Sequence, residues 1–448
     1  MTSVVVGLGK TGASCLRYLA RHGVPAAATD SRRSPPGLNE LGDLARTLDI
    51  RLGGFDLSLL DGASQLLMSP GVSLDEPIAR EARARGIEVV GDIELFARAV
   101  RAPVVGITGT NGKSTVTSLI ASMAIAAGRR VLAGGNLGVP ALDLLDQPTP
   151  DLYVLELSSF QLETTSSLEL DAAVVLNVSS DHMDRYASLE EYARAKARIF
   201  ARATVVVLNA DDALVAAMRG VATLRGAAVT PTVTFSIRRT DADYALLRQG
   251  TQTFLCRRGE PVLDIAAMKI TGLHNAANAL AALAMGDAIG LPLPAMLGAL
   301  EAFPGLPHRS AWVADIAGVR YVDDSKGTNV GATIAAVEGI PGRLVMIAGG
   351  QGKGQDFAPL AAAFKNKVHH AVLLGVDAPA VKRAIEGVCS VELVGTMAEA
   401  VAAAARAARP DDTVLLSPAC ASLDMFRDYG HRGDEFAAAV RALARAAS

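Results

Sequence analysis

The sequence predicts an α/β protein of three domains in series, each a mostly parallel sheet with flanking helices. Three observations carry that expectation. Short runs rich in valine, isoleucine and leucine alternate with alanine-rich helical stretches, as buried parallel strands and their crossovers do. Many of those runs end abruptly in glycine or a polar residue, where open parallel sheets hold their ligands. The chain has 448 residues, more than one core organises.

The first domain is expected at 1–93. Val4–Val6 leads into Gly7-Leu8-Gly9-Lys10-Thr11-Gly12, and a helix follows from Cys15 to Arg21. Ala26–Thr29 ends at Asp30, and Gln65–Met68 ends at Ser69-Pro70-Gly71. Strand, glycine turn, helix, strand, acid is the opening of a doubly wound sheet. The turn needs only a diphosphate at a helix N-terminus, which a nucleotide-sugar supplies as well as a dinucleotide does. The second domain, 94–302, holds strands at Leu152–Leu155, Ala172–Leu176 and Val205–Leu208. It closes with an alanine-rich helix from His274 to Ala288 and a Gly-Leu-Pro-Leu-Pro break. Phe303–Pro307 reads as a linker. The third domain, 303–448, has buried-strand patterns at Val319–Val322, Leu344–Ala348, Ala371–Leu374 and Thr413–Leu416.

Composition excludes several classes. Hydrophobic residues are 50% and charged residues 20% of the chain, which suits a globular protein. A net charge of −3 leaves no electrostatic case for nucleic acid or an anionic membrane. Cys15, Cys256, Cys389 and Cys420 are far apart, so neither a metal knot nor a disulfide framework is expected. No uncharged apolar run reaches membrane-spanning length, and the chain enters a strand at once with no leader pattern. A cytoplasmic monomer is the expectation.

The second domain opens on the most informative segment. Val104, Val105 and Ile107 run into Gly109-Thr110-Asn111-Gly112-Lys113-Ser114-Thr115. Glycines let backbone N–H groups crowd an anion, and the following helix adds positive potential. Lys113 reaches outer phosphates in such a loop, and Ser114 or Thr115 offers Mg²⁺ a hydroxyl. The usual pattern has glycine where this chain has Ile107, which argues against ordinary kinases and GTPases. The loop is expected at the surface.

Other polar residues stand at strand ends: Glu156, Asn177 with His182 five residues on, Asn209, Asp323-Asp324-Ser325-Lys326, Gly349 to Lys353, and Ser417. Six such ends suggest two sheets facing a common cleft. Glu156 beside a phosphate loop is a natural Mg²⁺ ligand. Ser188-Leu189-Glu190-Glu191 fits a capping box opening a helix. On that helix Lys196 shares a face with Leu189, Tyr192, Ala193, Ile199 and Phe200, opposite Arg194, Arg198 and Arg202. Two readings stand for Lys196: an ammonium that snorkels from the edge of the face, or a buried amine that takes up CO₂ as a carbamate and becomes a metal-ligating carboxylate. Asn275 and Asn278, three apart, share a helix face. They either meet a flat heterocycle or cap the helix.

With these residues placed, the chain resembles the Mur ligase family almost end to end. The wider family carries the loop at 109–115, Asp181-His182-Met183-Asp184, His274-Asn275-x-x-Asn278 and His308-Arg309. Glu156-Leu157-Ser158-Ser159-Phe160-Gln161-Leu162-Glu163, Asp324-Ser325-Lys326 and the segment Ser417 to Asp424 are similar to the branch that adds D-glutamate. The resemblance implies a Rossmann-like first domain, a P-loop ATPase-like second and a Rossmann-like third. It implies an ATP-dependent amide ligase that adds D-glutamate to UDP-N-acetylmuramoyl-L-alanine through an acyl phosphate, in peptidoglycan precursor synthesis.

The resemblance also implies roles. Lys113, Ser114 and Glu156 would serve ATP and one Mg²⁺; His182 and a carbamylated Lys196 would serve a second. The loop residues Gly109, Thr110, Asn111, Gly112 and Thr115, with Asn275, Asn278, Arg309 and Asp324, would hold ATP. Lys10, Thr11, Asp30, Ser31, Arg32, Gly71, Asn136 and Ser159 would meet the UDP-sugar. Lys326, Thr328, Lys353, Ser422, Leu423 and Tyr429 would lie near D-glutamate. Three positions depart from the family pattern: Lys10 replaces an apolar residue, Gln351 an acid, and Tyr429 a phenylalanine. A nicotinamide oxidoreductase would use the first glycine turn but leaves the second loop unexplained. A non-catalytic nucleotide-sugar sensor would not need Lys113, Glu156, His182 and Lys196 together. Another Mur or folylpolyglutamate-type ligase would share the loop but not the segments at 156–163 and 417–424.

Overall fold

The computed structural model describes residues 2–136, 138–220 and 230–447. Its strands form three sheets in series. The first is fully parallel, in the spatial order Asp49–Leu52, Ala26–Asp30, Thr2–Val6, Ala63–Met68, Glu88–Val90. The central run Val4–Val6 is buried on both faces, which is why it carries no polar alternation. The helix Lys10–Arg21 begins five residues before the expected Cys15, with Gly9 as its N-cap, so Lys10, Thr11 and Gly12 form its first turn.

The second sheet has nine strands. In spatial order they are Glu260–Asp264, Gln252–Arg257, Tyr244–Gln249, Thr232–Ser236, Ala203–Asn209, Leu170–Val175, Val104–Thr108, Leu152–Glu156 and Val131–Gly135. From Val104–Thr108 the chain passes out to the edge strand Val131–Gly135 and returns to Leu152–Glu156. It then crosses to Leu170–Val175 on the other side. The reversal opens a crevice beyond the carboxyl end of Val104–Thr108, where the glycine loop stands. The third sheet runs Ala311–Ile316, Val319–Asp323, Thr413–Leu416, Leu344–Ala348, Val368–Leu373, Ser390–Leu393. All its neighbours are parallel except the first pair.

The antiparallel pieces were not anticipated from the sequence. They are the meander Tyr244–Gln249, Gln252–Arg257, Glu260–Asp264 and the hairpin Ala311–Ile316 with Val319–Asp323. Two of the turns hold both central residues at positive φ: Arg258 at 51° with Gly259 at 84°, and Ala317 at 50° with Gly318 at 79°. The twist of a two-residue hairpin demands that conformation, and the usual Asn-Gly or Asp-Gly signal is absent at both. The Gly-Leu-Pro-Leu-Pro break starts a further helix, Leu293–Ala302, because proline is tolerated in a first turn.

Compactness divides the chain into two units. One comprises Met1–Val178, Glu190–Asp264 and Asn278–Glu301, so it holds the first two sheets. The other comprises Ser179–Leu189, Ile265–Ala277 and Ala302–Ser448, with the third sheet. Among the described residues no helix is long and apolar enough to cross a membrane.

Candidate active site

The glycine loop is built as an anion cradle. Ile107 is fully buried and pairs in register with Glu156, so the strand continues through the position where phosphate loops usually carry glycine. The turn itself is held by Asn177: its carbonyl accepts Thr110 N–H at 2.9 Å, its Oδ1 accepts Asn111 N–H at 2.9 Å, and its Nδ2 donates to Asn111 O at 3.0 Å. Gly112, at φ 85°, caps the helix Lys113–Ala126 without any side-chain cap. No acid stands in that first turn, so its N–H groups and dipole favour an anion. A Cβ on Gly112 would lie 2.4 Å from Asn278 Oδ1, which places Asn278 directly over the loop. The expected surface position holds only in part: Asn111, Gly112 and Lys113 are half-buried. Thr110, Ser114 and Thr115 are buried, with Asn177 and Asn278 packed against the loop.

Two lysines converge on one carbonyl here. Lys113 Nζ donates to Gly109 O at 2.8 Å and to Thr110 O at 2.8 Å. Lys196 Nζ donates to the same Gly109 O at 3.0 Å and lies 4.2 Å from the centre of the Tyr192 ring. Lys196 is 1% exposed, which excludes the snorkelling reading. Of its expected neighbours, Tyr192, Ala193, Ile199 and Phe200 are buried with it, while Arg194 is exposed. Arg198 does more than sit in solvent: its guanidinium donates to Leu162 O at 2.7 Å and Thr165 O at 3.0 Å.

Glu156, at the end of the adjoining strand, is 3% exposed. Its Oε1 accepts Asn136 Nδ2 at 2.6 Å, and its Oε2 has no hydrogen-bond partner among the described residues. A buried carboxylate oxygen left bare is costly unless a cation meets it. Glu156 with the Ser114 hydroxyl is a hard oxygen donor set that fits Mg²⁺. Among the described residues no group of three His, Cys, Asp or Glu side chains is placed to hold a metal ion, so phosphate and water oxygens would complete the shell of a cation at Glu156 and Ser114.

Asn136 also faces a cavity of about 440 Å³ in the same unit, a size suited to a small ligand. Lys10, Thr11, Asp30, Ser31, Arg32, Gly71 and Asn136 all line it, whereas Ser159 does not; Ser159 is buried in the short helix Ser159–Glu163. Gln161 lines it instead and donates to buried Asp92 at 3.1 Å. Asp30 accepts Leu8 N–H at 2.6 Å and a two-point contact from Arg32 at 2.9 and 2.8 Å. Burial pushes Asp30 up, but the Arg32 guanidinium and the two N–H donors outweigh it and hold the carboxyl below its usual range.

The second unit gathers the remaining candidates. Asp324 accepts Ser417 Oγ at 2.7 Å and Ser310 N–H at 3.0 Å, and burial pushes it up to about 7. Lys326 Nζ lies 3.8 Å from the Tyr429 ring centre, a cation–π contact that phenylalanine would make as well. Lys353, at φ 51°, places Nζ 3.7 Å from Asp181 Oδ1. His182, at φ 58°, donates its N–H to Asp181 Oδ1 at 2.9 Å. Ser422 is buried while Leu423 is 66% exposed, and Thr328 N–H donates to Lys326 O. Asn275 Nδ2 donates to Thr271 O at 2.8 Å, which ties the helix's first turn to the preceding loop.

Known proteins resemble the chain along most of its length. Residues 1–91 match the family model for the Mur ligase MurD-like N-terminal domain, 107–286 the Mur ligase middle domain, and 308–420 the Mur ligase glutamate ligase domain. The chain belongs to the Mur ligase family. Among its relatives, UDP-N-acetylmuramoylalanine–D-glutamate ligase of Nitrosococcus oceani is 54% identical, over 99% of this chain and 97% of that protein. The enzyme of the same name from Methylococcus capsulatus is 51% identical over 98% and 95%. In fold, the chain resembles a pseudomurein peptide ligase from Methanothermus fervidus, at TM-score 0.64 and 19% identity, covering 99% of both chains. It also resembles the UDP-N-acetylmuramate-alanine ligase of Thermotoga maritima, at TM-score 0.62 and 18% identity, covering 99% and 100%.

Within this Mur ligase, several residues that shape the site escaped sequence reasoning. Arg432 is 1% exposed and ties two loops together, donating to Ser325 Oγ at 3.0 Å, Ser325 O at 2.7 Å and Cys420 O at 3.0 Å. Burial lowers its pKa to about 10. Gln355 joins Val330 N–H and Ala419 O, both at 2.8 Å. Asn329 caps the helix Val330–Gly339. Apart from the cap at Asn329, no local pattern marks these contacts, since their partners are up to 148 residues away.

Proposed function

We propose that this Mur ligase joins D-glutamate to UDP-N-acetylmuramoyl-L-alanine with ATP, in the cytoplasm, during peptidoglycan precursor synthesis. The observation that carries the reading is the 54% identity with a D-glutamate ligase along 99% of the chain. In this reading 1–93 binds the UDP-sugar, 94–302 binds ATP and 303–448 binds the amino acid.

The substrate's L-alanyl carboxylate attacks the γ-phosphorus of ATP; the new O–P bond forms as the bond to ADP breaks, leaving an acyl phosphate. Lys113 and the N–H groups after Gly112 face the charge that develops on the transferring phosphoryl group. Mg²⁺, held by Glu156 and Ser114, would neutralise phosphate charge. The cavity with Lys10, Thr11, Asp30, Ser31, Arg32, Gly71 and Asn136 takes the UDP-sugar, and Asn136 links that cavity to Glu156. The amine of D-glutamate, its carboxylates met by Lys326 and Lys353, attacks the acyl carbon and expels phosphate. Thr328, Ser422, Leu423 and Tyr429 line the same subsite; Asn275, Asn278, Arg309 and Asp324 serve ATP.

Lys196 acts in this reading as a carbamate. Its ammonium gives up one proton, the free amine adds to CO₂ as an N–C bond forms, and a second proton leaves to solvent. Two ammonium groups on one carbonyl repel each other in a poorly solvated site. Turning Lys196 negative replaces that repulsion with attraction to Lys113, and makes an oxygen ligand that a divalent cation could use.

The test is phosphate release with a panel of substrates. It should require ATP, UDP-N-acetylmuramoyl-L-alanine and D-glutamate together. Equal turnover with L-glutamate, L-lysine or meso-diaminopimelate would overturn the assignment.

A further inference from the structure

We infer that Asp143 is a positioning residue for the UDP-sugar, because it pins together the two walls of the cavity that takes it; the inference rests on the reading of that cavity as the UDP-sugar site. The cavity belongs to neither of its sheets alone. Gly9, Lys10 and Thr11 reach it from the start of the helix Lys10–Arg21, which packs on the first sheet. Gly135, Asn136 and Pro140 reach it from the end of the second sheet's edge strand Val131–Gly135 and from just beyond. Both sheets lie in one compact unit. Neighbouring sheets with separate cores shift against each other unless something holds them. A site split between two walls binds only in the fraction of molecules that has both walls in register.

Each wall is rigid on its own side. Gly12 lies so close to the first strand's end that a Cβ on it would stand 1.9 Å from Gly7 O. Across the cavity, Asn136 N–H donates to Glu156 O at 2.8 Å, and Gly135 N–H to Val139 O at 2.9 Å. Asp143 joins the two sides. It stands three residues after Pro140, whose carbonyl accepts its N–H at 3.1 Å. Both of its oxygens are spent on the opposite helix: Oδ1 accepts the Ser14 hydroxyl at 2.7 Å, and Oδ2 accepts Arg17 Nη2 at 2.7 Å. Ser14 is fully buried and lies one helical turn after Lys10 and Thr11, so holding it fixes the turn that lines the cavity. The Arg17 and Asp143 side chains are only 27% and 20% exposed, so water screens their attraction less than it would on an open surface. Arg21 and Asp146, at 2.7 Å, continue the same seam in a more exposed setting and hold it less firmly.

Asp143 does not itself line the cavity, so its removal acts through the position of the walls. The loop at 109–115 follows a strand of the second sheet and depends on no such join, which makes ADP the comparison ligand. By calorimetric titration, Asp143→Ala should bind UDP-N-acetylmuramoyl-L-alanine at least about fivefold more weakly, with ADP affinity within about twofold of the parent. Arg17→Ala should also weaken the UDP-sugar. The double variant should bind no more weakly than Asp143→Ala, because the two side chains act as one contact. Unchanged UDP-sugar affinity in Asp143→Ala would overturn the inference, as would losses that simply add in the double variant. Equal losses for both ligands would overturn it too, since they would mark a general loosening of the fold. Gly71→Trp tests the underlying reading separately. Gly71 lines the cavity and a Cβ there meets nothing, so the variant sets a bulky side chain at the wall. If it binds the UDP-sugar like the parent, the cavity is not that ligand's site, and the inference falls with the reading.

Discussion

At the scale of single residues, charge placement decides function. Lys113 rests on two loop carbonyls, which in the proposed reaction it exchanges for phosphate oxygens. Lys113→Ala should lower turnover by at least about a hundredfold, since it removes a fixed charge from the developing phosphate. Single-turnover phosphate release checks this, and near-normal turnover would move the phosphate site elsewhere. Lys353→Ala and Lys326→Ala should raise KM for D-glutamate more than KM for the UDP-sugar; steady-state kinetics with each substrate varied would reveal the opposite order if the third domain were misassigned. Lys196→Ala and Lys196→Arg should both be nearly inactive, because arginine keeps the positive charge and cannot take up CO₂. Full activity of Lys196→Arg, or mass spectrometry showing no added carboxyl in the active protein, would refute the carbamate.

At the scale of elements, the glycine turns matter because something sits against them. Gly112 needs its positive φ to open the helix Lys113–Ala126, and Asn278 closes the space where a side chain would go. Gly112→Ala should weaken ADP binding at least about tenfold while leaving the fold intact, since the displaced Asn278 and the reshaped cradle are both local. Calorimetric titration with ADP measures it, and unchanged affinity would show that the N–H groups of this turn do not hold the phosphates. Gly350 is a different case: a Cβ there would lie 2.2 Å from Ala421 O, backbone that cannot yield. Its substitution should lower thermal stability rather than change nucleotide affinity.

At the scale of the whole molecule, buried carboxyls set how stability follows pH. Burial pushes Asp324 up to about 7, so the folded state holds its proton more tightly than the unfolded chain does. That contribution is fully present below pH 4 and is lost as pH rises through about 7. Its full size is on the order of 4 kcal/mol. Asp92, raised to about 6 by burial, adds the same sign, while Glu94, lowered to about 2 against the cost of its burial by the Ser166 and Ser167 N–H groups, opposes it. Asp324→Asn should therefore flatten the fall in stability between pH 5 and pH 8 without removing all of it. Urea unfolding across that range is the check, and a slope equal to the parent's would mean that Asp324 ionises freely.

The sequence by itself determined what is written in local pattern. Buried parallel strands such as Val4–Val6, Val104–Thr108 and Leu344–Ala348 are continuous apolar runs because both faces are covered. The glycine turn at 109–115, opening the helix Lys113–Ala126, was legible because its residues stand side by side in the chain. Lys196 was legible as inward-facing because helical periodicity places it there. The tertiary structure alone decided the rest. Edge strands such as Ser390–Leu393, and the hairpins with non-glycine residues at positive φ, follow from neighbours and carry no strong local signal. It also decided that Lys113 and Lys196 meet on one carbonyl, and that Glu156 keeps a bare oxygen. Arg432, Gln355 and Asn329 hold loops drawn from distant parts of the chain, because a hydrogen bond depends on proximity in space, and proximity is set only when the sheets have formed.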